Sequence, residues 1–370
     1  GVQTCALPIS VKPYQPEDFE AVMLHYFTAL NYIQLQDYEN ALVECRRINI
    51  RLNQLNDKYQ DHKNRYQRDA FAHNLMGMIY EATGDYNNAF IAYRNAYEAY
   101  KEDYTEYFNM QVPEQLKKDV LRTAYLTGFD DEVRHYEQTF SMDFEYTPRE
   151  HGEVIFFWLN GFGPVKDEWS IHFRKVPSPR ENYVIMQSRE LDVSFPIYIG
   201  DKSKEEKEGF SELRFFKVAF PRYVERKPVY RNAAVIAQDN KHSFELAQNI
   251  NEIAFKTLHD RMLRELGNAI LRLATKKALE ALADEEDENL GTFINIVNTL
   301  TEQADTRNWQ TLPYSIHYTR IPLEKGENIL EVEAYARNNT RKNTYKFEGQ
   351  KNKIYFASEH TAITYPPNYR

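Results

Sequence analysis

The sequence predicts an α+β chain: N-terminal helical repeats, then an antiparallel β-sandwich-like half with an inserted helical hairpin. Three observations predict it. Apolar residues recur with a helical period as far as Phe140, two segments within that stretch align with each other, and from His151 the period drops to about two with β-branched and aromatic residues. At 370 residues the chain exceeds the ~250–300 at which single cores stop growing. Two domains follow, 11–145 helical and 146–370 β-rich, the hairpin lying at about 243–303.

The aligned segments are Leu30-Asn-Tyr-Ile-Gln-Leu-Gln-Asp-Tyr38-Glu-Asn-Ala41-Leu and Met78-Ile-Tyr-Glu-Ala-Thr-Gly84-Asp-Tyr86-Asn-Asn-Ala89-Phe. Each reads Tyr, five residues, Tyr, two residues, Ala, which resembles the tetratricopeptide repeat. Ala29, Ala41, Gly77 and Ala89 fall where paired helices touch, and larger side chains there would force the backbones apart. Gly84 is suited to a left-handed helix end and Asp85 to capping the next helix, while Gln36 stands where the first repeat lacks that glycine. Ala41 and Ala89 stand 48 positions apart, against a period of about 34 for this repeat class, so the excess implies a lengthened second helix and loop near Asn49 to Arg68. A degenerate third pair starts at Pro113, breaks at Gly128 and ends at Phe140, as a capping repeat would.

Strands are expected at Glu153 to Leu159, Phe195 to Ile199, Leu213 to Phe220, Val229 to Gln238, Pro313 to Ile321, Asn328 to Ala336 and Lys353 to Ala357. Asn160 to Pro164 reads as a turn, as do Gly326-Glu and Asn338-Asn339, and Asp201 to Gly209 as a charged loop. A long helix is expected from Ser243, followed by the acidic run Asp284 to Glu288 and a more apolar helix over Thr292 to Leu300.

The net charge of −9, with acids and bases spread along the chain, leaves no basic stripe for a phosphate backbone and argues against nucleic acid. No run approaches the ~18–20 apolar residues of a spanning helix. Residues 1–10 are set apart, because Val2 to Ile9 reads as a translated sequencing adapter. Cys5 goes with that scar, and Cys45 alone supports neither a disulfide framework nor a cysteine zinc site.

With Asn160-Gly-Phe-Gly-Pro-Val-Lys166 and Ala304-Asp-Thr-Arg-Asn-Trp-Gln-Thr-Leu-Pro313 placed, the chain resembles a bacterial family of exported tetratricopeptide-repeat proteins and lipoproteins. That resemblance covers nearly everything after the scar and carries no established activity. It implies a periplasmic or outer-membrane-anchored location, often beside lipoproteins related to activators of cell-wall synthases, and a lipid-attachment cysteine that the scar would have replaced.

Catalytic chemistry finds little support. Gly161-Phe-Gly163 lacks the third glycine of a dinucleotide loop, and Pro164 removes a donor amide. The ten histidines include no zinc-helix pair, and no Gly-x-Ser-x-Gly elbow occurs. The expectation is therefore a non-enzymatic envelope scaffold without metal or cofactor, holding a protein partner in the repeat groove. Repeat geometry points to Tyr26, Leu30, Ile33, Asn74, Met78 and Glu81 as that groove, with Leu30, Ile33 and Met78 partly exposed. Asp305, Arg307 and Trp309 form a second polar cluster, read as a ligand corner or as a buried pair pinning the hairpin to the sheet. The alternative is a cell-wall glycan-binding module whose repeats serve oligomerisation. A surface cluster of aromatics on the β-rich half would favour that alternative, and an empty apolar groove the scaffold.

Overall fold

A computed structural model describes residues 13–58, 65–262 and 305–369. Helices fill the N-terminal half and β-sheets dominate the C-terminal half. The expected scar, and the expected hairpin from residue 263 onward with its acidic run and the apolar helix over Thr292 to Leu300, lie outside the described residues.

Helices α1 (Asp18–Gln34) and α2 (Tyr38–Lys58) pack together, as do α3 (Ala70–Ala82) and α4 (Tyr86–Ala99). A π-helical turn at Tyr100–Tyr104 and the short α5 (Thr105–Tyr107) continue α4. Then α6 (Glu114–Thr127) packs on α4, and α7 (Asp130–Phe140) on α6. The two aligned segments form the same turn twice. Gln36 (φ 58°) and Gly84 (φ 78°) both take the left-handed conformation, so the missing glycine changes the residue and not the backbone. Asp37 accepts from Asn40 N at 3.2 Å, and Asp85 from Asn88 N at 3.1 Å. At Gly77 a Cβ would run into the Tyr93 ring, which is why the α3–α4 contact takes glycine.

The β-rich part contains three four-stranded sheets. The first has the order β12-β1-β9-β8, made of Ile354–Thr361, Glu153–Asn160, Ser315–Pro322 and Glu245–Asn249. The second is β11-β10-β6-β7, made of Thr340–Gly349, Gly326–Tyr335, Asn232–Ala237 and Asn240–Ser243. Val154, Phe156, Ile321 and Ala357 of the first sheet share one apolar core with Val235, Leu330 and Val332 of the second. Strand β1 is buried along its whole length: Val154 and Phe156 face that core, while Phe157 turns the other way onto Phe71 of α3, 6.1 Å between ring centroids. The helices and these two sheets form one compact unit of Pro16–Val165, Val224–Thr257 and Asn308–Arg370.

The third sheet belongs to a second compact unit of Gly1–Gln15, Lys166–Tyr223 and Leu258–Arg307. Its order is β4-β3-β2-β5, made of Val193–Tyr198, Tyr183–Ser188, Val165–Val176 and Phe215–Val224. Ile171, Phe173, Val184, Met186, Ile197 and Phe220 cover one face with Phe210 of α8 (Lys204–Glu212).

Several sequence expectations are corrected. The charged loop at Asp201 to Gly209 is largely α8, whose Lys204 and Glu208 stand one turn apart at 3.8 Å. The helix expected from Ser243 begins at residue 250, because Glu245–Asn249 pairs with β9 and Asn249 then caps the next turn through Glu252 N at 3.1 Å. β1 and β12 are parallel, not antiparallel; lying at opposite ends of the β-rich segment, they need no tight turn between them.

Candidate functional site

The expected groove is the face that the helices turn toward the first sheet. Tyr26, Ile33, Asn74, Met78 and Glu81 are all buried and Leu30 is partly so; the exposure expected at Ile33 and Met78 is therefore corrected to 2% and 0%. The same compact unit supplies what covers them, as two polar clusters show.

In the first cluster three guanidiniums meet three carboxylates. Glu81 of α3 accepts from Arg122 Nε at 2.8 Å and Nη2 at 2.7 Å, and from Arg320 Nη2 of β9 at 2.8 Å. Arg320 also reaches Glu153 of β1 at 2.9 Å and Asp119 of α6 at 3.2 Å. Asp119 pairs with Arg122 at 2.8 Å, Glu153 pairs with Arg149, and Tyr93 Oη donates to Glu81 at 2.8 Å. Burial alone would raise the Glu81 carboxyl, but the flanking guanidiniums of Arg122 and Arg320 hold it well below the carboxylate range. Equal numbers of opposite charges with this hydrogen bonding let the cluster persist in the interior.

The second cluster surrounds Asp69, the N-cap of α3. Its carboxylate accepts from Tyr26 Oη, Tyr66 Oη, Ala72 N at 2.7 Å and Gln248 Nε2 of β8 at 3.0 Å. Burial pushes the Asp69 carboxyl up, and these four donors pull it back. Tyr100 Oη donates to Ala247 O at 2.6 Å, and Glu245 accepts from Glu114 N and Gln115 N at the start of α6. Three strands, β1, β8 and β9, thus plug the inner face of the helices.

The two motifs behind the family resemblance meet within this unit. Gly163 N donates to Leu312 O at 2.7 Å, Asn308 Nδ2 to Pro164 O at 2.9 Å, and Tyr314 N to Asn160 O at 2.9 Å. Arg226 lies over the Phe162 ring at 5.1 Å and donates to Gly163 O at 2.7 Å. Gly161 has φ +62° and is crowded by Pro228 and Thr364, so the turn requires it.

Asp305 and Arg307 form a bidentate pair, Nε to Oδ1 at 2.9 Å and Nη2 to Oδ2 at 2.7 Å. Their side chains are 42% and 34% exposed, which corrects the buried-pair expectation. Arg307 lies over the Tyr14 ring at 5.7 Å, whereas Trp309 packs on Phe27 at 5.9 Å and its amide donates to Glu20 at 2.8 Å.

The surface that sequence reading missed is the face of the third sheet opposite Ile171, Phe173 and Phe210, whose side chains are half-buried or exposed. Along β3, Tyr183, Ile185 and Gln187 alternate with buried Val184, Met186 and Ser188; along β4, Ser194, Pro196 and Tyr198 are the exposed set. Register places Tyr183 beside Tyr198, Ile185 beside Pro196 and Gln187 beside Ser194. The two tyrosine rings lie 5.2 Å apart and tilted by 53°, Tyr198 being 51% exposed and seated against the Gly200 backbone. On β2, His172 and Arg174 are exposed on alternate positions. The alternation Tyr183-Val-Ile-Met-Gln187 is legible as a strand, but half-apolar outer positions hide which face is the core.

Among the described residues no group of three His, Cys, Asp or Glu side chains could hold a metal, and no helix is long and apolar enough to cross a membrane. No known protein family, characterised protein or solved structure matches this chain.

Proposed function

We propose that the chain is a non-enzymatic, glycan-binding protein of the bacterial cell envelope, the location its family resemblance implies. Its helical hairpins are read as tetratricopeptide-type repeats and its two facing sheets as a β-sandwich. The twice-repeated Asp-capped turn and the small residues at the hairpin contacts support the repeat reading. In this reading the repeats act in cis: their inner face clasps the first sheet through Glu81–Arg320 and Asp69–Gln248, leaving no open groove there for an envelope partner. The proposal rests above all on the Tyr183–Tyr198 pair, of which Tyr198 is exposed and Tyr183 half-buried. Adjacent tyrosines offer flat apolar faces for the C–H face of a sugar ring and hydroxyls for its edge, at little cost in side-chain entropy. Both edge strands of that sheet carry proline, Pro196 in β4 and Pro221 in β5, which discourages strand addition and leaves the face as the contact surface. Cosedimentation with purified cell-wall sacculi tests the proposal. The intact chain should pellet with them and the Tyr183→Ala/Tyr198→Ala double variant should remain in the supernatant with unchanged circular dichroism; equal pelleting of the two, or none by either, would overturn it.

A further inference from the structure

The same sheet face carries charge that the tyrosines do not explain. Arg174 on β2 is exposed and donates to Gln187 Oε1 at 3.2 Å, while Arg180, in the turn before β3, is exposed and lies over the Tyr183 ring at 6.0 Å. Neither guanidinium has a carboxylate partner among the described residues. Glu190, at the far end of β3, is already engaged, accepting from His172 N at 2.8 Å and lying 2.9 Å from its Nδ1. From Tyr183 to Gln187, which stands opposite Arg174, the strand rises about 13 Å, so the two guanidiniums mark the ends of a short track with the tyrosines at one end. A planar guanidinium beside an aromatic platform is suited to bidentate capture of a carboxylate held out from a stacked ring.

Resting on the glycan reading above, we infer that this face of β2–β4 takes an anionic glycan, a sugar strand whose carboxylates pair with Arg174 and Arg180 while its rings lie on Tyr183 and Tyr198. Charge complementarity selects this ligand over a neutral polysaccharide. Glycan strands freed of their stem peptides, which present one lactyl carboxylate per disaccharide, should bind the full chain about tenfold more tightly than the same strands with those carboxylates amidated. Added salt should erase that preference. The Arg174→Gln/Arg180→Gln variant should bind both strands equally, at the level the intact chain shows for the amidated one, and its melting temperature should be unchanged. Equal affinity of the intact chain for the two strands would overturn the inference and leave glycan binding standing. Binding of neither strand would overturn both. The comparison of two probes on the unaltered chain holds whatever the variants do.

Discussion

Glu81 and Arg320 stand 239 residues apart in the chain, yet their side chains meet at 2.8 Å in the interior, a helix carboxylate joined to a strand guanidinium. Through Arg122, Asp119, Glu153 and Arg149 that pair ties α3 and α6 to β1 and β9. The helical half is therefore held on the sheet by charges that, Arg149 apart, are buried among their partners.

Glu81→Gln removes one of the two carboxylates that Arg122 and Arg320 share, leaving Asp119 between them. Removing one member of a buried ionic set typically costs ~3–5 kcal/mol, and denaturant unfolding should show a loss of that order. A loss near that of a surface pair, below about 1 kcal/mol, would mean the cluster is open to solvent.

The acid limb of stability follows from the same group. Glu81 has its folded pKa depressed, so its contribution is present above the unfolded value of about 4.3 and is lost as pH falls through the folded value. Asp69 has the opposite sign: its raised folded pKa favours stability at low pH and takes it away as pH rises. Melting temperature should therefore drop steeply below about pH 4 in the native chain and less steeply in Glu81→Gln, with Asp69→Asn leaving the steep limb in place.

Gly77→Leu should destabilise by roughly 1–3 kcal/mol or more, since the Tyr93 ring occupies the space a side chain would need. Glu98, on α4 beside the fully buried Ala99, is exposed and serves as the tolerant comparison. Chemical denaturation should place Glu98→Leu within about 0.5 kcal/mol of the native chain.

The triple change Leu30→Ser, Ile33→Ser, Met78→Ser would spare the fold if these residues lined an open groove. With Ile33 and Met78 in the core, truncation to a polar side chain costs about 2–5 kcal/mol at each of those two, enough to unfold the chain. Far-ultraviolet circular dichroism should show the helical signal lost at 37 °C. Arg307→Ala, by contrast, breaks a pair already in solvent and should leave the melting curve in place.

Local chemistry in the sequence carried the helical half. The Asp37 and Asp85 caps, the left-handed residues before them and the small residues at Ala41, Gly77 and Ala89 are all set by near neighbours, so one sequence exposes them. Pairings across long separations were not visible. Glu81 reads on α3 as an ordinary polar face, and its partner lies in a strand whose other residues are apolar or uncharged as far as Pro322. Half-buried strands such as β2 and β3 lack a clean polar/apolar alternation, because Ile185 and Val176 give their outer faces apolar content. For the same reason the tyrosine face stayed hidden: Tyr183 and Tyr198 are counted as core by composition and are separated from it only by register.

Thiol labelling of the folded protein reads out whether the chain's own sheet closes the inner face of the helices. In a Cys5→Ser/Cys45→Ala background, Met78→Cys places a thiol on that face, and Leu24→Cys one on an exposed position of α1. With the face closed, Leu24→Cys should react at once while Met78→Cys reacts only as fast as the chain unfolds globally. Equally rapid labelling of the two in the native state would show that the inner face is open and contradict its closure.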